Sequence, residues 1–486
     1  MAQSRKVGRI GRGNMTKQYQ QVDVLMVSLT PLWPLDQGFR IHGHHMARGL
    51  TSLGLRVRVA CPEALPDDAP STFRRLTVKW PAASPQEVQT FTTECFGENR
   101  ADSFWESLRE SLRGCFRGWF RGSFRGRGWG GVGDFLRHRV GRYFGPDPQT
   151  LAGVIGLVQR YRPKTVIGVG MLSPLLLRGL GNHSQVRRIW YAADELVSFN
   201  LSCMRREPPR DWPARLRTMF GHALFERCFA RGLDGAIGVS PSESRLLRTV
   251  AGVRRTISIP NGVDLMYFSP QSTDAAERSI AFWGNLDFEP NVDAVCWFAQ
   301  RVWPTLTVCR PDARWLIIGR NPHPRVAALG TQRGIEVVGC VDDIRPLAQR
   351  AAVAILPMRC GGGIKNKLLE AAAMGRPIVA SRHATKGLTF NPMARPFQIC
   401  DHPDDWARAI RRLWTDQTTA SQLGSRARRW AETHHSWTDA ARALADWLDP
   451  QAEQPQPDAT PTHKHKPIGT VAQITETQVN QVRRAA

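Results

Sequence analysis

The run Cys360–Ser381, CGGGIKNKLLEAAAMGRPIVAS, decides how this chain is read, because a loop, a helix and a strand follow one another in it with charge at the loop-to-helix junction. Gly361, Gly362 and Gly363 let backbone N–H groups approach a ligand closely, and a helix predicted to start near Ile364 aims its positive dipole end at the same place. Such a junction is an anion site. Lys365 and Lys367 add mobile positive charge, and Glu370 lies within the first two turns, close to the ligand end. A diphosphate beside a sugar hydroxyl suits that mixture; a tight strand-to-helix turn is the bland alternative.

Outward from this run, the second half of the chain repeats strand then helix from near Thr256. The apolar segments are Ser279–Trp283, Arg314–Ile318, Ile335–Val338, Val353–Leu356, Pro377–Ala380 and Phe397–Ile399. Short apolar strands alternating with helices indicate a parallel sheet covered on both faces, with a ligand site at the carboxyl ends of the strands. The triglycine loop follows one such end, at Leu356. From Asp401 to Leu448 the pattern is helical, and from Pro450 the chain turns Pro-, Gln- and Thr-rich and is expected to be unfolded.

The first half opens at Val22 after a polar, basic arm of 21 residues. Val22–Ser28, a helix near His42–Leu53 stopped by Gly54, and Leu55–Ala60 read as a βαβ unit. Thr165–Val169, Arg188–Ala192 and Gly235–Val239 are further strands. Between them, from Phe104 to Phe144, lies an insertion in which Phe104, Leu108, Leu112, Phe116, Phe120 and Phe124 recur every four residues, with an arginine after each from Leu108 onward. On a helix this apolar stripe drifts by about 40° per repeat with an arginine stripe beside it. Gly114, Gly118, Gly122 and Gly126 would each cost about 1 kcal/mol there, so an anionic lipid surface is a candidate partner for the segment.

At 486 residues the chain is too long for one core, and 42% hydrophobic content fits a globular protein. The net charge of +24 is compatible with nucleic acid, anionic membrane or anionic substrate and does not choose among them. No apolar run approaches the roughly 20 residues that span a bilayer, and the N-terminus lacks the apolar core of a signal peptide, so a cytoplasmic protein is expected. Ten cysteines stand singly, without CxxC pairs, and are expected to be reduced and mostly buried.

Seven segments, in order, carry a family resemblance: TPLWPLDQGFRIHGHHMARGL from Thr30, VSPSE from Val239, IPNGVD from Ile259, FWGNLDFEPNVDAVCWF from Phe282, IIGRNP from Ile317, VGCVDDIRPL from Val338, and the triglycine run. Together they resemble the group 1 glycosyltransferases, a retaining family, and most of all the sugar transferases of bacterial exopolysaccharide and cell-envelope gene clusters. The resemblance spans Val22 to Leu448. It implies an α/β chain with the GT-B fold, two Rossmann-like domains whose parallel sheets face each other across a cleft. Residues 22–255 would form the acceptor domain and 256–449 the nucleotide-sugar domain, flanked by the arm 1–21 and the tail 450–486.

The resemblance also implies roles. A glutamate in the place of Glu370 holds the ribose hydroxyls of the donor, which an acceptor-only carboxylate can do in a bidentate way. Relatives commonly keep another glutamate eight residues earlier, where this chain has Gly362, so the backbone N–H groups of Gly363 to Asn366 are expected to take its place. The loop GNLDFEPN, opened by Gly284, lacks the basic residues that relatives use on the diphosphate, which leaves Lys365 first and Lys367 second to neutralise it. Gly38 falls where a glycine-bearing loop meets the reaction centre, with Arg40 in the following turn. Asp194 and Glu195 are either polar residues near the sugar or a helix cap. His42, His44 and His45 read as helix-surface residues, and Asn261 and Gly262 as shaping the interdomain turn.

The expected catalytic residues are therefore Gly38, Asp194 and Lys365, and the donor-binding residues Arg40, Gly284, Gly362, Gly363, Asn366, Lys367 and Glu370. No metal and no cofactor beyond a UDP- or GDP-sugar donor is expected. The partners are that donor, a glycan or lipid-linked acceptor, and an anionic membrane surface for residues 104–144; nucleic acid is not expected. A nucleotide-sugar epimerase or non-catalytic protein on the same fold, and an RNA-binding protein acting through FRGWFRGSFRGRG, are the alternatives.

Overall fold

The computed structural model describes residues 21–35, 37–79, 148–180, 186–192, 196–271 and 276–449. The insertion at 104–144, the tail from 450, nearly all of the basic arm, and Asp194 and Glu195 lie outside the described residues. Residues up to Trp447 belong to one compact unit, and of the unit that begins at Leu448 only the first two residues are described.

Two parallel sheets form the frame. The first has seven strands in the order β3-β2-β1-β4-β5-β6-β7: β1 (Val24–Ser28), β2 (Val57–Cys61), β3 (Thr77–Lys79), β4 (Thr165–Val169), β5 (Arg187–Tyr191), β6 (Gly235–Gly238) and β7 (Thr256–Ser258). The second has six in the order β10-β9-β8-β11-β12-β13: β8 (Ala276–Trp283), β9 (Arg314–Ile318), β10 (Ile335–Gly339), β11 (Ala351–Leu356), β12 (Ile378–Ala380) and β13 (Gln398–Ile399). Every pairing in both is parallel. The central strands β1 and β4 are buried along their whole length, as strands with helices on both faces must be.

In each sheet the strand order reverses once, between β1 and β4 and between β8 and β11. At such a reversal the connections leave in opposite directions and open a crevice at the carboxyl ends of the two strands. In the second lobe the walls of that crevice are the loop after Trp283 and the triglycine loop after Leu356.

Two strands depart from the sequence reading. β3 was not anticipated, and Thr256–Ser258, expected to begin the second domain, pairs with β6 as the edge strand of the first sheet. The chain then crosses between lobes twice at neighbouring places. Val263 N–H donates to the His435 carbonyl at 2.9 Å, and the buried His435 Nδ1 lies 2.6 Å from the Asn261 carbonyl, which can only accept. Burial holds the His435 imidazole near 4, so it donates as a neutral ring.

After the second crossing, the helix Trp437–Leu448 returns to the first lobe. A Cβ on Gly49 would sit 2.4 Å from the Ala441 Cβ, and one on Gly235 would sit 2.6 Å from the Trp447 ring. Those glycines set how closely the last helix docks. Gly49→Ala should therefore cost about 1–3 kcal/mol in urea unfolding, with much of the loss recovered when Ala441→Gly is added; equal stability of wild type and Gly49→Ala would contradict this packing.

Candidate functional site

The triglycine loop is shaped by both lobes. Gly361 and Gly363 hold positive φ of 105° and 64°, the left-handed region that favours glycine. The Gly361 N–H donates to Ser202 Oγ at 2.9 Å and the Gly363 N–H to Glu243 Oε1 at 3.1 Å. Both acceptors belong to the first lobe. Ser202 lies on the helix Leu196–Met204, and Glu243 on the first turn of the helix Pro241–Thr249, where its second oxygen accepts from the Val239 N–H at 3.0 Å. His383 Nε2 meets the Gly361 carbonyl at 2.9 Å.

The helix after the loop begins at Asn366, two residues later than expected, with Lys365 as its extended N-cap residue. Lys365 Nζ folds back onto the carbonyls of Gly362 and Gly363. Lys367 reaches the crevice instead. Its Nζ donates to Asn291 Oδ1 at 2.6 Å and stands 4.3 Å from the centroid of the Phe282 ring. A Cβ on Gly284 would come within 2.9 Å of that Nζ, so the glycine opening the loop after β8 makes room for the lysine.

Glu370 closes the same crevice. Its Oε2 accepts from Trp283 Nε1 at 2.6 Å. Burial raises the carboxyl above its usual range, while the Trp283 hydrogen bond and the Lys367 charge pull it back down. Burial likewise pushes Lys367 down to about 7, opposed by the Glu370 charge. A lysine that is only partly charged near neutral pH responds to an arriving anion.

From the first lobe, the helix Gly38–Ser52 points its N-terminus at this place. A Cβ on Gly38 would lie 3.9 Å from Asn366 Nδ2, and Asn366 Oδ1 accepts from Asn261 Nδ2 at 2.7 Å. Two helix N-termini, from opposite lobes, thus converge on one region, and their dipoles both favour negative charge there. Arg40, on the first turn of the Gly38 helix, is half-buried with its guanidinium carbon 5.9 Å from the Phe39 ring centroid.

Of the expected site residues, Gly284, Lys367 and Glu370 therefore come together around the β8–β11 crevice, Gly38 and Asn366 meet across the lobes, and Gly362 and Gly363 form the loop beside them. Asp194 lies outside the described residues. The histidines are a correction: His42 and His44 are buried, not on the helix surface. His42 stacks on Tyr191 at 4.3 Å and His45 on Trp437 at 4.7 Å, and desolvation holds the first near 3 and the second near 4. They pack as neutral aromatic rings. Trp283, Asn291, Ser202 and His383 join these residues without a local sequence signal for that role, as does Glu243 of VSPSE. The Ser-x-x-Glu spacing from Ser240 signals a helix cap, which it is, since Ser240 Oγ accepts from the Glu243 N–H.

A second lobe-to-lobe contact flanks the crevice. Arg215 on the first lobe pairs with Glu207 and reaches Glu289 Oε1 at 2.6 Å, and Phe199 stacks on Phe288 at 6.0 Å between centroids. Among the described residues no group of three His, Cys, Asp or Glu side chains could hold a metal ion.

Residues 277–416, within the second lobe, match the family model described as glycosyl transferases group 1. The chain has the two-lobed GT-B fold. Solved structures with the same fold include sucrose-phosphate synthase from Thermosynechococcus elongatus, at 16% identity over 87% of this chain and 98% of that one, with a TM-score of 0.60. HepE of Anabaena, solved with UDP and glucose, matches at 12% identity over 88% of this chain and 99% of that one, TM-score 0.58. A mutant TarM of S. aureus, in complex with fondaparinux, alpha-GlcNAc-glycerol and UDP, matches at 8% identity over 88% of this chain and 100% of that one, TM-score 0.55. At such identities the likeness establishes the fold alone. A comparison with curated protein sequences found no significant match.

The sign of the Lys367 shift gives a measurable consequence. Above about 7 the lysine is increasingly neutral, so an anion that needs its charge must bring a proton with it. Affinity for a nucleoside diphosphate should fall with rising pH above that value, approaching tenfold per unit, and Lys367→Met should bind weakly with a flattened profile. A wild-type profile with no such slope would remove Lys367 from the binding step.

Proposed function

We propose that this protein is a retaining glycosyltransferase that moves a sugar from a nucleoside diphosphate sugar to an acceptor hydroxyl in polysaccharide, lipopolysaccharide or glycolipid assembly. The observation that carries the reading is the Lys367–Glu370 pair in the β8–β11 crevice, faced by Gly38 of the other lobe. UDP in the HepE and TarM structures supports a nucleotide donor, and the family resemblance supports retention of configuration and a cell-envelope pathway.

In this reading the donor ribose hydroxyls donate to the Glu370 carboxylate, which Trp283 holds in place. The diphosphate lies between Lys367 and the converging helix N-termini. As the bond from the anomeric carbon to the phosphate oxygen breaks, that oxygen keeps the electron pair, and fixed dipoles stabilise the growing charge without reorganising. The acceptor oxygen then bonds to the anomeric carbon on the face that the diphosphate leaves, and its proton passes to the departing phosphate. Closure of the lobes keeps water from competing as the acceptor. Asp194 is the proposed polar group near the sugar, and Lys365 supports the loop's shape through the Gly362 and Gly363 carbonyls. The chain's own groups carry this scheme without a metal ion.

A donor screen that follows nucleoside diphosphate release, with and without lipid-linked acceptors, tests the reading directly. Glu370→Ala should lower kcat/KM for the donor about 10- to 100-fold, the worth of one or two hydrogen bonds to a charged acceptor. Unchanged kinetics would sink the assignment.

We also propose a cytoplasmic protein whose residues 104–144 contact an anionic lipid surface, a reading supported by the four-residue Phe/Leu and Arg pattern of that segment. Among the described residues no helix is long and apolar enough to cross a membrane. Deleting Gly114–Arg127 should abolish cosedimentation with phosphatidylglycerol vesicles while sparing sugar transfer to a soluble acceptor. Loss of RNA binding with vesicle binding intact would favour the alternative partner.

A further inference from the structure

Cys203 and Cys360 face each other from opposite lobes. Cys203 lies on the helix Leu196–Met204 of the first lobe, and Cys360 immediately precedes the triglycine loop of the second. They are 1% and 2% exposed, and each stands next to a residue of the interlobe contact, Cys203 beside Ser202 and Cys360 beside Gly361. Hydrogen bonds between backbone and side chain on either side hold the two segments together: the Gly361 N–H donates to Ser202 Oγ at 2.9 Å, and Arg206 Nε donates to the Arg359 carbonyl at 3.3 Å. Nothing in the proposed transfer reaction uses either sulfur.

We propose that Cys203 and Cys360 form a thiol pair that closes to an interlobe disulfide by exchange with a low-molecular-weight disulfide, pinning the triglycine loop to the first lobe. The two thiols are not equivalent. The neighbouring Cys360 thiol, and after it the Arg215 charge, lower Cys203, whereas Cys360 is raised. Cys203 is thus the attacking sulfur.

Its thiolate bonds to one sulfur of the small disulfide and expels the other as a thiolate, which takes up the proton that Cys203 lost. Cys360 then gives up its proton and attacks Cys203 Sγ, expelling the second small thiolate, which takes up that proton. One S–S bond is broken for each one formed at both steps. In sum, two protein thiols are oxidised and one small disulfide is reduced to two small thiols.

The consequence follows from position. Gly361, next to Cys360, already contacts Ser202 through its N–H and His383 through its carbonyl. A covalent bond at residue 360 would hold the crevice loop against the Leu196–Met204 helix, so the lobes could not part to release product. Because both sulfurs are buried when the lobes meet, the first exchange step takes place in the open state, where Arg215, on the same lobe as Cys203, still favours its thiolate.

The test uses the full chain in oxidised glutathione, with free thiols blocked before peptide mass spectrometry. A Cys203–Cys360 cross-linked peptide pair that disappears on reduction with dithiothreitol is the expected result. Donor turnover should fall at least about tenfold as the cross-link forms and return on reduction, while Cys203→Ala should keep its turnover in the same treatment. Glutathione adducts without the cross-link, unreacted thiols, or cross-links to other cysteines would overturn the pairing. A complete cross-link that leaves turnover unchanged would overturn the pinning. Wild-type protein that turns over no donor counts against the transferase reading, and the mass spectrum still decides the thiol pair.

Discussion

The shape of the triglycine loop depends on two hydrogen-bond acceptors that the other lobe supplies. Ser202 Oγ and Glu243 Oε1 take the N–H groups of Gly361 and Gly363. Without them, two donors in a tight loop would point into a crevice with nothing to receive them, and a buried donor left unsatisfied costs roughly 1–3 kcal/mol. The loop's positive-φ glycines leave it poor in conformational restraint of its own. Its geometry is therefore a property of lobe contact. The double crossing by way of Asn261–Val263 and His435–Trp437 keeps the lobes in register. Asn261 ties this crossing to the site through its hydrogen bond to Asn366.

The stability of each lobe comes from elsewhere. The second lobe has a continuous core in which Trp315, Trp406, Phe298 and Phe282 are buried behind β8, β9 and β11, and the first has a smaller one around β1 and β4 that includes Trp190 and Leu25. Hydrophobic burial of this kind is roughly proportional to the apolar area removed from water and does not depend on any single contact between the lobes. The polar contacts between lobes are few and point-like by comparison.

Much of this was legible in the sequence, for reasons that vary by residue. Thr165–Val169 and Arg314–Ile318 are short apolar runs bounded by polar segments, and they are strands over those residues. β3 escaped notice because Thr77–Lys79 is short and lies half-exposed at the sheet edge, so burial left no apolar run to read. Thr256–Ser258 was seen but placed in the wrong sheet, because local pattern does not say which neighbour a strand will find. Lys365, Lys367 and Glu370 are legible by type and position near a predicted loop and Gly284 through the family resemblance; Lys367, Glu370 and Gly284 converge, whereas Lys365, expected first on the diphosphate, turns back to the Gly362 and Gly363 carbonyls. Ser202 and Glu243 were not chosen, since their partners lie 159 and 120 residues away in sequence and nothing local reports such a contact. The buried histidines misled for a physical reason. An imidazole reads as polar in a sequence, but desolvation makes it neutral, and a neutral imidazole stacks on Tyr191 or Trp437 as an aromatic ring does.

The pairing of Lys367 with Glu370 follows from the same competition between solvation and charge. Burial disfavours the charged form of both, and each favours the charge of the other, so neither is as strongly ionised as it would be in water. Their hydrogen bonds to Asn291 and Trp283 fix where the charge will sit without supplying a full counter-ion. In the proposed reaction a diphosphate entering such a crevice would find a cation already positioned, and its own charge would offset the cost of ionising that cation. The alternative, a fully paired buried salt bridge, would have to be broken before an anion could use the lysine. An incompletely satisfied pair at a strand-order reversal is thus better suited to binding and releasing a charged leaving group than to holding the fold together.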